Sequence, residues 1–283
     1  MTGSGTIVRR LVNRHERLRT IVQSRRGQMI VRTQRAARSL EPGATFAMRE
    51  LTGHAGISHY RLRDNRSSLH LRHRTRDVDI FNEIFGGTDG RESYEAPHAI
   101  ASRLTSDRID ILDVGGNIGL FGLYAFDRWN VGSVTSYEPD PENAAILRTT
   151  IAANRLPWRM EEAAVSNRNG TLRFMPGLFS EARAAEEGEH AIEVGMVDFF
   201  EIATGVTLVK IDIEGGEWAI LTDPRLRGLD VHVVVMEWHR RGCPFDDPRQ
   251  AAIGALDAAG YGLVSDVPSP GFASGLVWAQ RRA

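Results

Sequence analysis

The chain has 283 residues, of which 42% are hydrophobic and 25% charged, enough apolar content for one large domain or a domain with an appendage. Its formal net charge of −1 gives no global reason to expect nucleic acid or a membrane surface as partner, and no apolar run approaches the roughly 18 residues that cross a bilayer. Cys243 is the single cysteine, which excludes an intrachain disulfide and suits a reducing cytoplasm.

Charge is uneven along the chain. Residues 1–40 hold ten Arg against one acid, Glu16, without the apolar stretch and small-residue cleavage site of a secretory signal. Ile7, Val8, Leu11, Val12, Leu18, Ile21 and Val22 recur near a 3.6 period and predict an amphipathic helix over 6–22. Its apolar face would pack on the main domain or on a second copy. Residues 41–76 are less periodic, with strand-like alternation at Ser67–Arg72. Residues 1–95 therefore read as an N-terminal helical and irregular extension, open to dimerisation or to acceptor contact, and 96–283 as the main domain.

From residue 96 the pattern becomes regular. Ile109–Val114 is an apolar run ended by glycines, as expected of a strand buried on both faces. A helix is predicted over Leu120–Asp127, a strand over Ser133–Tyr137 and a helix over Glu142–Asn154, where Ala144, Leu147 and Ile151 form one stripe. Met160–Val165 and Gly170–Phe174 read as strand pieces, and the acidic stretch 181–189 as a solvated loop. Buried strands follow at Leu208–Ile213 and Val231–Glu237, then a helix at Arg249–Ala259 and a terminal hairpin from Tyr261–Val267 and Ser274–Gln280. Strands alternating with helices predict an α/β fold, a doubly wound, Rossmann-like, mostly parallel sheet with helices on both faces.

In such sheets ligands sit beyond the carboxyl ends of the strands. The first regular strand ends in Asp113-Val-Gly115-Gly116-Asn117-Ile-Gly119, and the glycines let backbone turn sharply and approach a ligand closely. A dinucleotide loop wants Gly-x-Gly-x-x-Gly under a pyrophosphate. Here Asn117 takes the middle glycine's place, and Asp113 would repel a pyrophosphate while suiting the ammonium and sulfonium of S-adenosylmethionine. Glu138, 25 residues after Asp113 at the next strand end, can accept two hydrogen bonds from ribose hydroxyls. NAD uses the same device, so this residue alone leaves the nicotinamide oxidoreductase reading open.

Four segments resemble the FkbM-type methyltransferases: Leu112-Asp-Val-Gly-Gly-Asn-Ile-Gly119, Tyr137-Glu-Pro-Asp-Pro141, Ala163-Ala-Val-Ser166 and Lys210-Ile-Asp-Ile-Glu-Gly-Gly-Glu217. The resemblance covers roughly residues 77–265 and leaves 1–70 unmatched. It implies S-adenosylmethionine as donor, with Asp113, Gly115, Asn117 and Gly119 around the methionine portion, Glu138 on the ribose, and Glu162-Ala163 passing the adenine. Gly116 and Gly216 stand where Ala is common in the family. Relatives methylate mostly hydroxyls of sugars, polyketides and other natural products, and some methylate amide nitrogens of peptides. The acceptor implied is thus a small molecule, with the N-methyl alternative open.

Methyl transfer is an in-line displacement that needs alignment and, for a hydroxyl acceptor, a proton sink. Lys210, Asp212 and Glu214 share one face of a strand, and Glu237 and His239 share another. His239, with an ordinary pKa of about 6.5, is the predicted general base, oriented by Glu237 or Asp212. Lys210, the sole lysine, is either catalytic or half of a buried ion pair. The same carboxylates and imidazole could hold a divalent metal, although their spacing specifies none. His54, His59, His70, His73 and His98 lack the spacing of a zinc site and read as surface or acceptor-contact groups, with Tyr94 and His98 nearest the main domain.

Overall fold

The computed structural model describes residues 25–86, 92–177, 183–184, 191–269, 271 and 273–282. The helix predicted over 6–22 lies outside the described residues, as does most of the acidic stretch 181–189. Two compact units form: of the described residues, 25–67, 71–86 and 92–93 make one, and 68–70 with 94 onward make the other.

The first unit is more regular than its sequence suggests. It contains α1 (Arg25–Ser39), β1 (Leu40–Glu41), α2 (Gly43–Thr52), β2 (Ile57–Leu62) and α3 (Asp77–Phe85). β1 and β2 pair antiparallel, and β3 (Ser68–Arg72) continues the order β1-β2-β3. Its core includes Ala36, Leu40, Phe46, Tyr60 and Phe81, with Phe46 edge-on to Tyr60 at 5.3 Å. His73, expected as a surface or acceptor-contact group, is buried here. Its Nδ1 lies 2.9 Å from Glu50 Oε2 and its Nε2 2.8 Å from the Tyr60 hydroxyl, so the ring completes a polar network instead of facing solvent. Burial, opposed by Glu50, pulls the His73 pKa below its ordinary value.

The second unit is built on a seven-stranded sheet. Its elements begin with α4 (His98–Ser106), β4 (Ile109–Val114), α5 (Leu120–Arg128), β5 (Val131–Tyr137), α6 (Pro141–Asn154) and β6 (Trp158–Glu161). After a smaller sheet come β11 (Leu208–Ile211), α8 (Glu217–Leu221), β12 (Val233–His239), α9 (Pro248–Ala258), β13 (Tyr261–Pro268) and β14 (Ser274–Arg281). The strand order is β13-β14-β12-β11-β4-β5-β6. β6, β5, β4, β11 and β12 run parallel, and β14 pairs antiparallel with both β12 and β13. This is the doubly wound α/β sheet expected. Chain progress reverses at β4, flanked by β5 on one side and β11 on the other, so the switch point lies at the carboxyl ends of β4 and β11.

Alternation along the strands separates two cores. Leu112, Val114, Val209, Ile211, Val234 and Met236 pack with Trp218 and Ile220 of α8 and with Ala252 and Leu256 of α9. On the opposite face Trp278 of β14 meets Trp129, just after α5, edge-on at 6.1 Å. Helices thus cover both faces, as a mainly parallel sheet requires.

The smaller sheet departs from the sequence reading. The single strand predicted over Met160–Val165 is two: β6 belongs to the large sheet, while β7 (Ala164–Ser166) turns away into a sheet of order β7-β10-β8-β9. Its other strands are β8 (Gly170–Met175), β9 (Arg183–Ala184) and β10 (Ile192–Asp198), the last followed by α7 (Phe199–Ile202). Exposed Glu162 and half-buried Ala163 supply the break, between β6, where only Trp158 is buried, and β7, where Ala164 and Val165 are.

Candidate functional site

The loop after β4 is stitched to its neighbours by backbone. Gly115 and Gly116 N–H both donate to Tyr137 O, at 3.0 and 2.9 Å, and Asp212 N–H donates to Val114 O at 3.0 Å. Gly115 has φ +89°, and a Cβ there would lie 1.9 Å from Asp212 O, so only glycine lets the β4 and β11 ends close on each other. Asn117 is left-handed at φ +48°, a conformation that asparagine tolerates better than most residues. Gly119, at φ +93°, begins α5.

Glu138 binds this loop. Its Oε2 accepts from Asn117 N–H at 2.7 Å and its Oε1 from Asp140 N–H at 2.9 Å. Burial pushes its pKa up to about 7, against the pull of these two backbone donors. Each oxygen takes one donor and retains a second lone pair.

Asp113 lies beneath the loop, fully buried. Its Oδ2 accepts from Ser136 Oγ at 2.7 Å, and Trp158 Nε1 donates to the same hydroxyl at 2.9 Å. Its Oδ1 makes no hydrogen bond of good geometry and instead faces Lys210 Nζ at 3.3 Å. Lys210 is 3% exposed and donates to Gly115 O at 2.6 Å, with Asp212 Oδ2 3.7 Å away. Burial opposes its charge, but Asp113 and Asp212 outweigh that and hold its pKa above the ordinary lysine value. Of the two roles open to Lys210, the geometry favours the buried ion pair, with an added grip on the loop carbonyl.

At the rim of β11 and β12 the acids and the imidazole converge. Asp212, Glu214 and His239 offer ligand atoms that all lie within 4.8 Å of one another. Glu217, wholly buried at the start of α8, accepts from His239 N–H at 2.7 Å and from Gly215 N–H at 2.8 Å, and its Oε1 lies 3.2 Å from His239 Nδ1. His239 Nε2 faces Glu214 at 3.6 Å and Glu237 at 3.7 Å. Burial disfavours the imidazolium, yet Glu217, Asp212 and Glu214 prevail and push the His239 pKa up to about 10. In this geometry the ring keeps its proton at neutral pH, which runs against the general-base role read from sequence. The ordinary value assumed there omitted three carboxylates.

Other expected site residues sit differently. Glu162 is exposed and ion-paired with Arg148, beside half-buried Ala163, just past the end of β6. Tyr94 is buried with its ring 4.9 Å from Phe121 of α5, and His98 is exposed. Ser136 escaped the sequence reading; the register opposite Asp113 is what places it, and a lone serine in a strand gives no signal.

A glycine loop, a buried strand-end acid and an acidic rim at the carboxyl ends of the central strands mark the second unit as a doubly wound, Rossmann-like α/β fold. Residues 113–263 match the model of the methyltransferase FkbM domain, and the chain belongs to the FkbM methyltransferase family. The chain is 33% identical over 85 residues to the 31-O-demethyl-FK506 methyltransferase FkbM of Streptomyces tacrolimicus, an alignment covering 27% of this chain and 33% of that protein. The chain thus spans about a third of the length of that curated relative. Among solved structures, methyltransferase FkbM from Methylobacillus flagellatus KT is 15% identical, with a TM-score of 0.44 over 70% of this chain and 47% of that one. Aeropyrum pernix fibrillarin, solved with S-adenosyl-L-methionine, is 13% identical, with a TM-score of 0.37 over 79% of this chain and 94% of that one.

Proposed function

We propose that this chain transfers a methyl group from S-adenosylmethionine to a hydroxyl of a small acceptor, a natural product or sugar-containing molecule, in the cytoplasm. The observation that carries the donor assignment is the Asn117 N–H···Glu138 hydrogen bond, which ties the glycine loop to the carboxylate placed for a ribose. The residues present fit the group. Half-buried Gly115 presents backbone without a side chain at the strand end, Glu138 keeps a lone pair on each oxygen for a diol, and Glu162 and Ala163 follow β6 where an adenine would pass. Asp113 serves through Lys210: the buried pair holds Gly115 O and so fixes the loop.

When bound, S-adenosylmethionine supplies an electrophilic methyl on a sulfonium. The chain's own task is alignment, which can contribute about 7–11 kcal/mol, and removal of a hydroxyl proton. With the His239 ring protonated, the proton acceptor is a carboxylate. Glu237, half-exposed at the rim and 3.7 Å from Nε2, is the group we assign, and the imidazolium orients it. The oxygen acceptor follows the relative, whose name places its reaction at a 31-O position.

Turnover of methyl-labelled S-adenosylmethionine with hydroxylated metabolites tests the proposal. Label should enter an ether, and Glu237→Gln should lower kcat by about 10²–10⁴ while the affinity for S-adenosylhomocysteine holds. Stabilisation by NAD(H) without stabilisation by S-adenosylhomocysteine would overturn it.

A further inference from the structure

We propose that Asp212, Glu214 and His239 form a divalent-cation site at the carboxyl ends of β11 and β12. The inference goes beyond the donor assignment and stands without it. Metal–ligand bonds of about 2.1–2.4 Å place neighbouring ligand atoms about 3 Å apart and opposite ones up to about 4.8 Å, and the three atoms here all lie within 4.8 Å of one another. His239 is 8% exposed, and its Nε2 is aimed into the cluster at Glu214, 3.6 Å away, and Glu237, 3.7 Å away. Both separations are too long for hydrogen bonds, and the one to Glu214 suits two ligands of one ion.

The support behind the ring carries the argument furthest. A carboxylate oxygen accepts, so Glu217 Oε1, 3.2 Å from Nδ1, keeps the Nδ1 proton in place, and a cation that displaces the Nε2 proton to solvent meets a lone pair there. Glu217 is itself held by His239 N–H and Gly215 N–H, which makes it the rigid outer partner that metal-binding histidines commonly have. Two carboxylates and one imidazole leave positions open for water or an acceptor oxygen. They suit Mn²⁺ better than Mg²⁺, because imidazole is a poor magnesium ligand. A cation here would lie beside the carboxylate assigned as proton acceptor and would acidify a hydroxyl bound to it.

The test uses the full chain, freed of metal by chelation and titrated with Mn²⁺ alone, free Mn²⁺ being followed by electron paramagnetic resonance. One Mn²⁺ should bind per chain, and Glu214→Gln and His239→Asn should each weaken it at least tenfold. Both variants should bind S-adenosylhomocysteine within threefold of wild type, which shows that they fold. Absence of Mn²⁺ binding up to millimolar concentration, or equal binding in wild type and both variants, would overturn the site. Failure of S-adenosylhomocysteine to bind the wild type would instead count against the donor assignment, and the Mn²⁺ titration would still read this one.

Discussion

Glu138 carries a testable consequence of its burial. Its folded pKa, raised from 4.5 to about 7, contributes stability that is complete below 4.5 and is lost as pH rises through 7. Ribose hydroxyls donate to the ionised form, so a bound nucleoside pulls the pKa back down. S-Adenosylhomocysteine affinity should therefore rise about tenfold from pH 6 to pH 8, read by calorimetry at each pH. A flat profile would remove Glu138 from the ligand. In Glu138→Gln one backbone donor would face an amide NH₂ group, which should cost about 1–3 kcal/mol of stability and flatten the profile. Lys210 offers a second test. Lys210→Met leaves Asp113 charged and buried, with an expected loss of about 3–5 kcal/mol in urea unfolding, and adding Asp113→Asn should restore much of it. A harmless single variant would contradict the buried pair.

At the scale of elements, the glycines divide into those that packing requires and those it does not. By sequence, Gly116 and Gly216 look equivalent, each lacking a methyl group common in the family. A Cβ at Gly116 would lie 2.9 Å from Ser136 Cβ, in the network under the loop, whereas at Gly216 it would meet the end of the Ile213 side chain at 3.1 Å and the Ile213 carbonyl oxygen at 3.3 Å. Gly116→Ala should lower stability by about 1–3 kcal/mol and Gly216→Ala by less than about 0.5 kcal/mol, compared by thermal unfolding. The large sheet was legible because its central strands are short, apolar-rich segments: Leu208–Ile211 is buried at every position, and Ile109–Val114 at all but one. The smaller sheet was not. β8 and β10 are mostly exposed or half-exposed, and β6 runs into β7 with a break too short to register in hydrophobicity.

For the whole molecule, the glycine loop and strand-end acids of the proposed donor side stand out in the sequence because they are backbone geometry written in glycines and acids. The acceptor side does not, since the state of His239 depends on Glu217 and Asp212, which only the parallel β11–β12 pairing and the turn into α8 bring to it. The first unit hid its order for a similar reason: Glu50, Tyr60 and His73 look like surface residues until α2, β2 and β3 bury them together. Among the described residues no helix is long and apolar enough to cross a membrane. In the proposed function, the loop Asp113–Gly119 and Glu138 hold S-adenosylmethionine. Calorimetric titration of the chain with S-adenosylhomocysteine, beside Glu138→Ala, tests it most directly. Wild type should bind at one site per chain, and the variant should bind at least tenfold more weakly. Equal binding by both proteins, or no binding by the wild type, would contradict it.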